Sequence, residues 1–170
     1  EQGDALGTGH AVLAAEKAVG RAREVLIANG DFDPVAPEDV RRLVRVHRRT
    51  RAAATMITTE VERPGTLSRI VREGDRLVSI VEGTDAPTSM RAIREVGTNW
   101  IAFRRDDLFR ALPLVGRENA QAEYYLNDVF PILIDKGERV SVVKVDTGGA
   151  IGINSRADLA RTTRVVRERI

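Results

Sequence analysis

The stretch Glu24-Val25-Leu26-Ile27-Ala28-Asn29-Gly30-Asp31 decides how the chain is read. An apolar, branched burst over residues 24–28 that stops at Asn-Gly-Asp predicts a buried strand, parallel to its neighbours, running into a tight polar turn. Upstream, alanines and valines predict a helix over residues 10–19, closed by Gly20 at its C-cap. Downstream, Pro37 suits the first turn of an arginine-rich helix. Residues 52–61 read as a second buried strand, 100–103 as a third and 140–145 as a fourth. Residues 67–71 and 76–81 flank Glu73-Gly74-Asp75, a hairpin signal. A short helix with an acidic start is expected over 106–112. A longer one is expected over 123–135, kinked or broken at Pro131. From Asn154 or Ser155 onward the pattern is helical, with Leu159, Thr162, Val166 and Ile170 on one stripe. Strands alternating with helices predict an α/β domain with a mostly parallel sheet and one antiparallel hairpin. No repeat or linker divides it, so residues 1–170 read as one domain.

Composition narrows the function classes. With 42% apolar and 31% charged residues among 170, the chain can bury a core without disulfides. It has no cysteine, which excludes a disulfide framework, a thiolate metal site and a cysteine nucleophile. A cytoplasmic setting fits that absence. No apolar run approaches the roughly 18 residues of a membrane helix, so no membrane is expected. Lysine and arginine total 27 against 25 acids, a formal charge of +2, and all but Lys17, Lys136 and Lys144 are arginine. A nucleic-acid binder carries a larger, clustered excess. The one dense cluster is Arg41, Arg42, Arg45, Arg48, Arg49 and Arg51. Val40, Leu43, Val44 and His47 recur through it at helical spacing, so the arginines belong to a solvated helix face and no nucleic acid is expected. A nucleic-acid patch on that helix is the remote alternative.

In α/β sheets ligands gather beyond the carboxyl ends of strands. Three polar turns qualify: Gly30-Asp31, Gly97-Thr98-Asn99 and Gly152-Ile153-Asn154. Asp31 is a candidate functional residue on that ground, with turn capping as the plain structural alternative.

Six short motifs then follow one another in order. They are Leu6-Gly7-Thr8-Gly9-His10-Ala11, Gly30-Asp31, Ile80-Val81-Glu82 with Asp85, Ile93-Arg94-Glu95, Asn119-Ala120-Gln121 with Glu123-Tyr124-Tyr125, and Gly152-Ile153-Asn154 with Arg156. The ordered set resembles the uridylyltransferase domain of the bifunctional N-acetylglucosamine-1-phosphate uridylyltransferases, and it spans nearly the whole chain. The resemblance implies a nucleotide-diphospho-sugar transferase fold, Rossmann-like with a mostly parallel mixed sheet, N-terminally incomplete in these residues. It implies UTP and N-acetylglucosamine 1-phosphate, or a related sugar phosphate, as substrates and cell-wall biogenesis as the setting. The sugar phosphate would attack the α-phosphorus in line and release pyrophosphate, a chemistry of positioning and charge neutralisation.

The same resemblance implies Mg²⁺ as cofactor, held by Asp31 and Asn154, oxygen donors that suit a hard cation. Gln2, Gly7 and Thr8 would read the uracil, with Gly30 beside the nucleotide. A glutamine amide offers donor and acceptor to a pyrimidine edge, and glycine permits close backbone approach. Glu82 would accept from a sugar hydroxyl, and Tyr125, Ser68 and Asn127 would complete the sugar site. No catalytic side chain is identified beyond the metal ligands.

Departures cluster at the sugar. Thr66-Leu67-Ser68-Arg69-Ile70 stands for Gly-Tyr-Gly-Arg-Ile, so Ser68 replaces a backbone-contact glycine. Gly97-Thr98-Asn99 stands for Asn-Thr-Gly, which loses the sugar-contacting asparagine at Gly97. Asn127 replaces a threonine after the double tyrosine. A different sugar, or none, follows. The family's Gly-rich phosphate loop and C-terminal β-helix have no counterpart in these residues, and residues 155–170 would lead toward a further domain. The expectation is therefore an incomplete uridylyltransferase domain, inactive by itself, with a non-catalytic nucleotide-sugar-binding or protein-interaction paralogue as the alternative. A missing first strand would leave an apolar sheet edge, to be covered by a second copy or a partner chain or else to leave the domain marginally stable.

Overall fold

Residues 52–61 supply an inner strand buried on both faces, its threonines included. Ala54, Met56 and Ile57 are fully buried, and only the terminal Glu60 is exposed. A computed structural model describes residues 4–31, 35–74, 76–146, 152–153 and 155–168, without the side chains of 161, 165 and 168. Its strands are β1 (Glu24–Ile27), β2 (Ala54–Glu60), β3 (Arg69–Glu73), β4 (Arg76–Val81), β5 (Glu95–Arg104) and β6 (Val140–Lys144). Its helices are α1 (Thr8–Ala14), α2 (Glu16–Val19), α3 (Pro37–Thr50), α4 (Arg105–Ala111), α5 (Val129–Asp135) and α6 (Arg156–Glu168).

These strands form one sheet in the order β4-β3-β5-β2-β6, with β1 also paired to β5. The sheet is mixed. β1, β2, β3 and β6 share one direction, but the reversed β5 lies at the centre, so β2–β6 is the one parallel ladder among the described strands. β1 and β3 meet the same side of β5 at different heights. Ile27 lies opposite Ile101, and Arg69 opposite Val96. Between those contacts that side of β5 has no described strand beside it.

Helices cover both faces. On one, Met56, Ile101 and Phe103 pack with Leu108, Phe109, Leu126, Val129, Phe130 and Leu133 of the segments around α4 and α5. On the other, Leu43 of α3 joins Ile57, Ala102 and Val143. Pro37 occupies the first turn of α3, Leu43 and His47 are buried, and the arginines from Arg41 to Arg51 face solvent as their spacing predicts. Arg41 pairs with Glu38 at 3.1 Å and Arg48 with Glu24 at 2.7 Å.

Three further expectations change. β1 is neither fully buried nor paired in parallel: its partner is antiparallel β5, its other edge pairs with no described strand, and Leu26 is 45% exposed. That edge borders an apolar groove of about 410 Å³ lined by Val12, Val19, Val25, Leu26, Ile27 and Leu126. Second, Gly97-Thr98-Asn99 is not a turn beside a strand but lies within β5, which runs to 10 residues. Third, the long helix over 123–135 shrinks to α5, preceded by a 3₁₀ turn at Leu126–Asp128. Pro131 is the third residue of α5, where the N–H has no intrahelical partner to lose, so no kink arises. Residues 119–124 form a loop instead. Asn119 Nδ2 donates to the Glu123 carbonyl at 2.6 Å, and its Oδ1 accepts from the Glu123 N–H at 3.1 Å, replacing helical bonds with side-chain ones. On α6, Thr162 is buried while Leu159 is 52% exposed; Ile170 lies outside the described residues.

Candidate functional site

The glycine-rich opening acquires its shape by docking on the double tyrosine. The Tyr124 N–H donates to the Leu6 carbonyl at 2.9 Å, and the Gly9 N–H donates to the Tyr124 carbonyl at 2.8 Å. Thr8 Oγ1 accepts from the Leu126 N–H at 3.0 Å. Gly7, at φ +113°, faces the same backbone so closely that a Cβ would lie 2.7 Å from the Tyr124 oxygen. The close approach that glycine permits here is thus between two segments of the chain itself.

That docking closes one side of a small cavity of about 130 Å³. It is lined by Thr8, Asn29, Glu82, Asn99, Gln121, Glu123, Tyr125, Leu126 and Asn127. Asn29 arrives from beyond the carboxyl end of β1, Glu82 from the end of β4, and Asn99 from β5 where β1 and β3 leave it uncovered. Asn127 is buried in the turn before α5, and its Nδ2 donates to Glu82 Oε1 at 2.6 Å. Its Oδ1 is buried without a hydrogen-bond partner among the described residues.

Electrostatically the cavity is a desolvated cluster of acceptors. Burial pushes the Glu82 carboxyl above the usual carboxylate range; the Asn127 bond opposes this, while the Asp128 and Asp85 carboxylates add to it. Asp128 is raised by burial and then by Asp85. Burial also raises the Tyr125 hydroxyl, with Asp85 and Glu82 acting in the same direction. Carboxamides, hydroxyls and the carboxyls of Glu82 and Glu123 suit a neutral ligand rich in hydroxyl and amide groups better than an anion.

Of the residues the sequence singled out, Thr8, Glu82, Tyr125 and Asn127 line this cavity together. Gly7 supports its wall. Gly30 and Asp31 form the exposed turn just past Asn29, and the Asp31 carbonyl accepts from the Ile153 N–H at 2.7 Å. Ser68 is buried but does not line the cavity; its Oγ lies under Gly97. Gln2 and Asn154 lie outside the described residues. Asn29, Asn99, Gln121 and Glu123 line the cavity without having been assigned a role. The available signal for Asn99 was Gly97 two residues before it, since an isolated glycine within a strand marks a bulge. A wider cleft of about 630 Å³ beside β6 contains Arg72, Arg76 and Lys144, but these already pair with Glu95, Glu73 and Glu60.

No protein-family model matches the chain. It is 42% identical to the bifunctional protein GlmU of Syntrophotalea carbinolica over 99% of its own length, and 41% identical to that of Halalkalibacterium halodurans over 99%. It spans 37% and 38% of the length of those relatives. Among solved structures, UDP-glucose pyrophosphorylase complexed with UDP-glucose superposes with a TM-score of 0.75 at 12% identity, over 99% of this chain and 65% of that one. The apo form of UDP-glucose pyrophosphorylase gives 0.69 at 12% identity, over 95% and 60%. The fold is therefore that of the sugar nucleotidyltransferases, and by sequence the chain is a relative of part of the GlmU proteins.

Proposed function

We propose that this relative of the bifunctional GlmU proteins is the base- and sugar-reading part of a sugar-1-phosphate uridylyltransferase. In this reading UTP and N-acetylglucosamine 1-phosphate, or a related sugar phosphate, give the UDP-sugar and pyrophosphate. The observation that carries it is that Thr8, Glu82, Tyr125 and Asn127, drawn from three separate motifs, line one cavity beside the strand-end turn bearing Asp31. Gln2, Gly7 and Thr8 hold the uracil with Gly30 alongside, and Glu82, Tyr125 and Asn127 hold the sugar. Ser68 serves the sugar site only from beneath Gly97.

Mg²⁺ fits the donors present. Asp31 is an exposed carboxylate at a strand end, and the Ile153–Asp31 backbone bond supports bringing the segment that carries Asn154 alongside it. When bound, the ion supplies charge neutralisation for the phosphates. These 170 residues contain no Gly-rich loop with the arginine and lysine that would cradle a triphosphate. Each such donor is worth roughly 3 kcal/mol to the leaving group, so the chain alone binds nucleotide sugar without turnover. The open edge of β1 is where a further strand, from a longer polypeptide, a second copy or a partner chain, completes the sheet. α6 leads toward a further domain. No described helix is long and apolar enough to cross a membrane. The same reading sets the protein in the cytoplasm, serving cell-wall biogenesis.

Calorimetry with UDP and UDP-N-acetylglucosamine, with and without Mg²⁺, tests the proposal. Saturable binding of both ligands with no pyrophosphate release from UTP is expected. Absence of binding by either at millimolar concentration overturns it.

A further inference from the structure

The sheet by itself gives no reason for the irregularity at the centre of β5. Met56 lies opposite Ile101 and Thr58 opposite Gly97. Between these pairs β2 has only Ile57, while β5 has Thr98, Asn99 and Trp100. Within the resulting bulge the Thr98 hydroxyl donates to the Ile57 carbonyl at 2.9 Å, and the Trp100 backbone N–H points at Thr98 Oγ1 at 3.4 Å. Asn99 at its apex has φ +56°, a conformation that asparagine tolerates better than most residues but still pays for in strain. Bulges of this kind re-aim a side chain.

Here the re-aimed side chain is a carboxamide lining the cavity with Glu82, Tyr125 and Asn127. It forms no hydrogen bond among the described residues. Two residues earlier on the strand, position 97 carries no side chain and is crowded. A Cβ at Gly97 would lie 2.8 Å from Met56 Sδ and 2.9 Å from Ser68 Oγ, both in the packed interior, so any side chain there must displace them.

We infer that Asn99 is a specificity-determining residue, presented by the β5 bulge to the sugar ring of a bound nucleoside diphosphate sugar, in place of a side chain that position 97 does not hold. The inference rests on the reading of the cavity given under Proposed function and adds to it the residue that discriminates the ring. Glu82 and Asn127 Oδ1 supply acceptors, and the Asn99 amide adds donors beside them. Together they match a neutral pyranose carrying hydroxyl or acetamido groups on adjacent carbons.

Asn99→Gly tests this, because glycine adopts φ +56° freely and keeps the bulge. UDP-N-acetylglucosamine and UDP are titrated into wild type and variant by calorimetry, with thermal melts of both proteins. The variant is expected to bind the UDP-sugar about five- to tenfold more weakly, the loss of one or two neutral hydrogen bonds. Its affinity for UDP stays unchanged and its melting temperature does not fall. Equal weakening for UDP and the UDP-sugar, or unaltered UDP-sugar affinity, overturns the inference while leaving the proposed function standing. If wild type binds neither ligand, the proposed function falls and takes this inference with it.

Discussion

Asn127 Nδ2 lies 2.6 Å from Glu82 Oε1, and this bond joins the end of β4 to the turn that starts α5. It holds a carboxyl in a place where burial disfavours its charge. The arrangement trades stability for an acceptor aimed into the cavity. What each residue contributes can be separated by substitution.

Glu82→Gln keeps an acceptor for Asn127 and removes the charge. Because the folded-state pKa of Glu82 is raised, its ionised form is disfavoured by the fold, and stability is lost as pH rises from the unfolded value of 4.5 through the raised one. The variant should melt about 2–4 °C higher at pH 7.5, the response of a domain this size to ~1 kcal/mol. The gain should vanish below that lower pH, and UDP-sugar affinity should drop. Identical melting curves at pH 7.5 would sink the electrostatic account.

Gly7→Ala attacks the docking of the opening loop. The residue combines φ +113° with a Cβ position 2.7 Å from the Tyr124 oxygen and 2.8 Å from its nitrogen. Backbone atoms cannot step aside as a side-chain tip can. A loss of ~2 kcal/mol and a fall of about 4–8 °C in melting temperature are expected, along with weaker binding of UDP. A neutral substitution would show that the Leu6–Tyr124 pairing is dispensable.

His47 predicts an acid-side weakness. It is buried on α3, with Nδ1 2.9 Å from Thr55 Oγ1 and Nε2 without a partner among the described residues. Burial lowers its pKa, Glu24 opposes this, and Arg104 and Arg48 reinforce it. A histidine held below its unfolded value of 6.5 gives full stability above that pH and loses it as pH falls toward the folded value. Urea titrations from pH 7.5 to 5 should show a shallower decline for His47→Gln than for wild type. Parallel declines would exclude His47 as the source.

Ala122→Gly relieves a strained residue. Ala122 has φ +52° in the loop that Asn119 holds, and an alanine there costs about 1–2 kcal/mol over glycine. Part of that gain is returned as unfolded-chain entropy. A net stabilisation of up to ~1 kcal/mol is expected by chemical denaturation; destabilisation would contradict the strain.

Much of the fold and some of the site are legible in the sequence. The alternation of Val40, Leu43, Val44 and His47 with arginines marks α3, and the run at 52–61 marks an inner strand, because each periodicity reports its own burial. Thr8, Glu82, Tyr125 and Asn127 were legible through their motifs. Asn29, Asn99, Gln121 and Glu123 were not assigned, since a carboxamide in a loop or a bulge looks the same whether it faces solvent or a cavity. The helix expected over 123–135 failed because Asn119 captures backbone groups that a helix would have used, an exchange invisible to hydrophobic spacing.

The sequence by itself determined most of the strands and helices, in what order they come, and that its motifs run in one family's order. Those properties follow from side-chain chemistry and local periodicity. Only the tertiary structure decided that the apolar burst at 24–27 pairs antiparallel to β5 and keeps an open edge, and that β5 bulges at 98–100 to bring Asn99 beside Glu82 and Asn127. A strand's side chains encode how deeply it is buried. Its direction and register depend on backbone hydrogen bonds to whichever distant segment lies alongside, and those bonds carry no residue-specific signature.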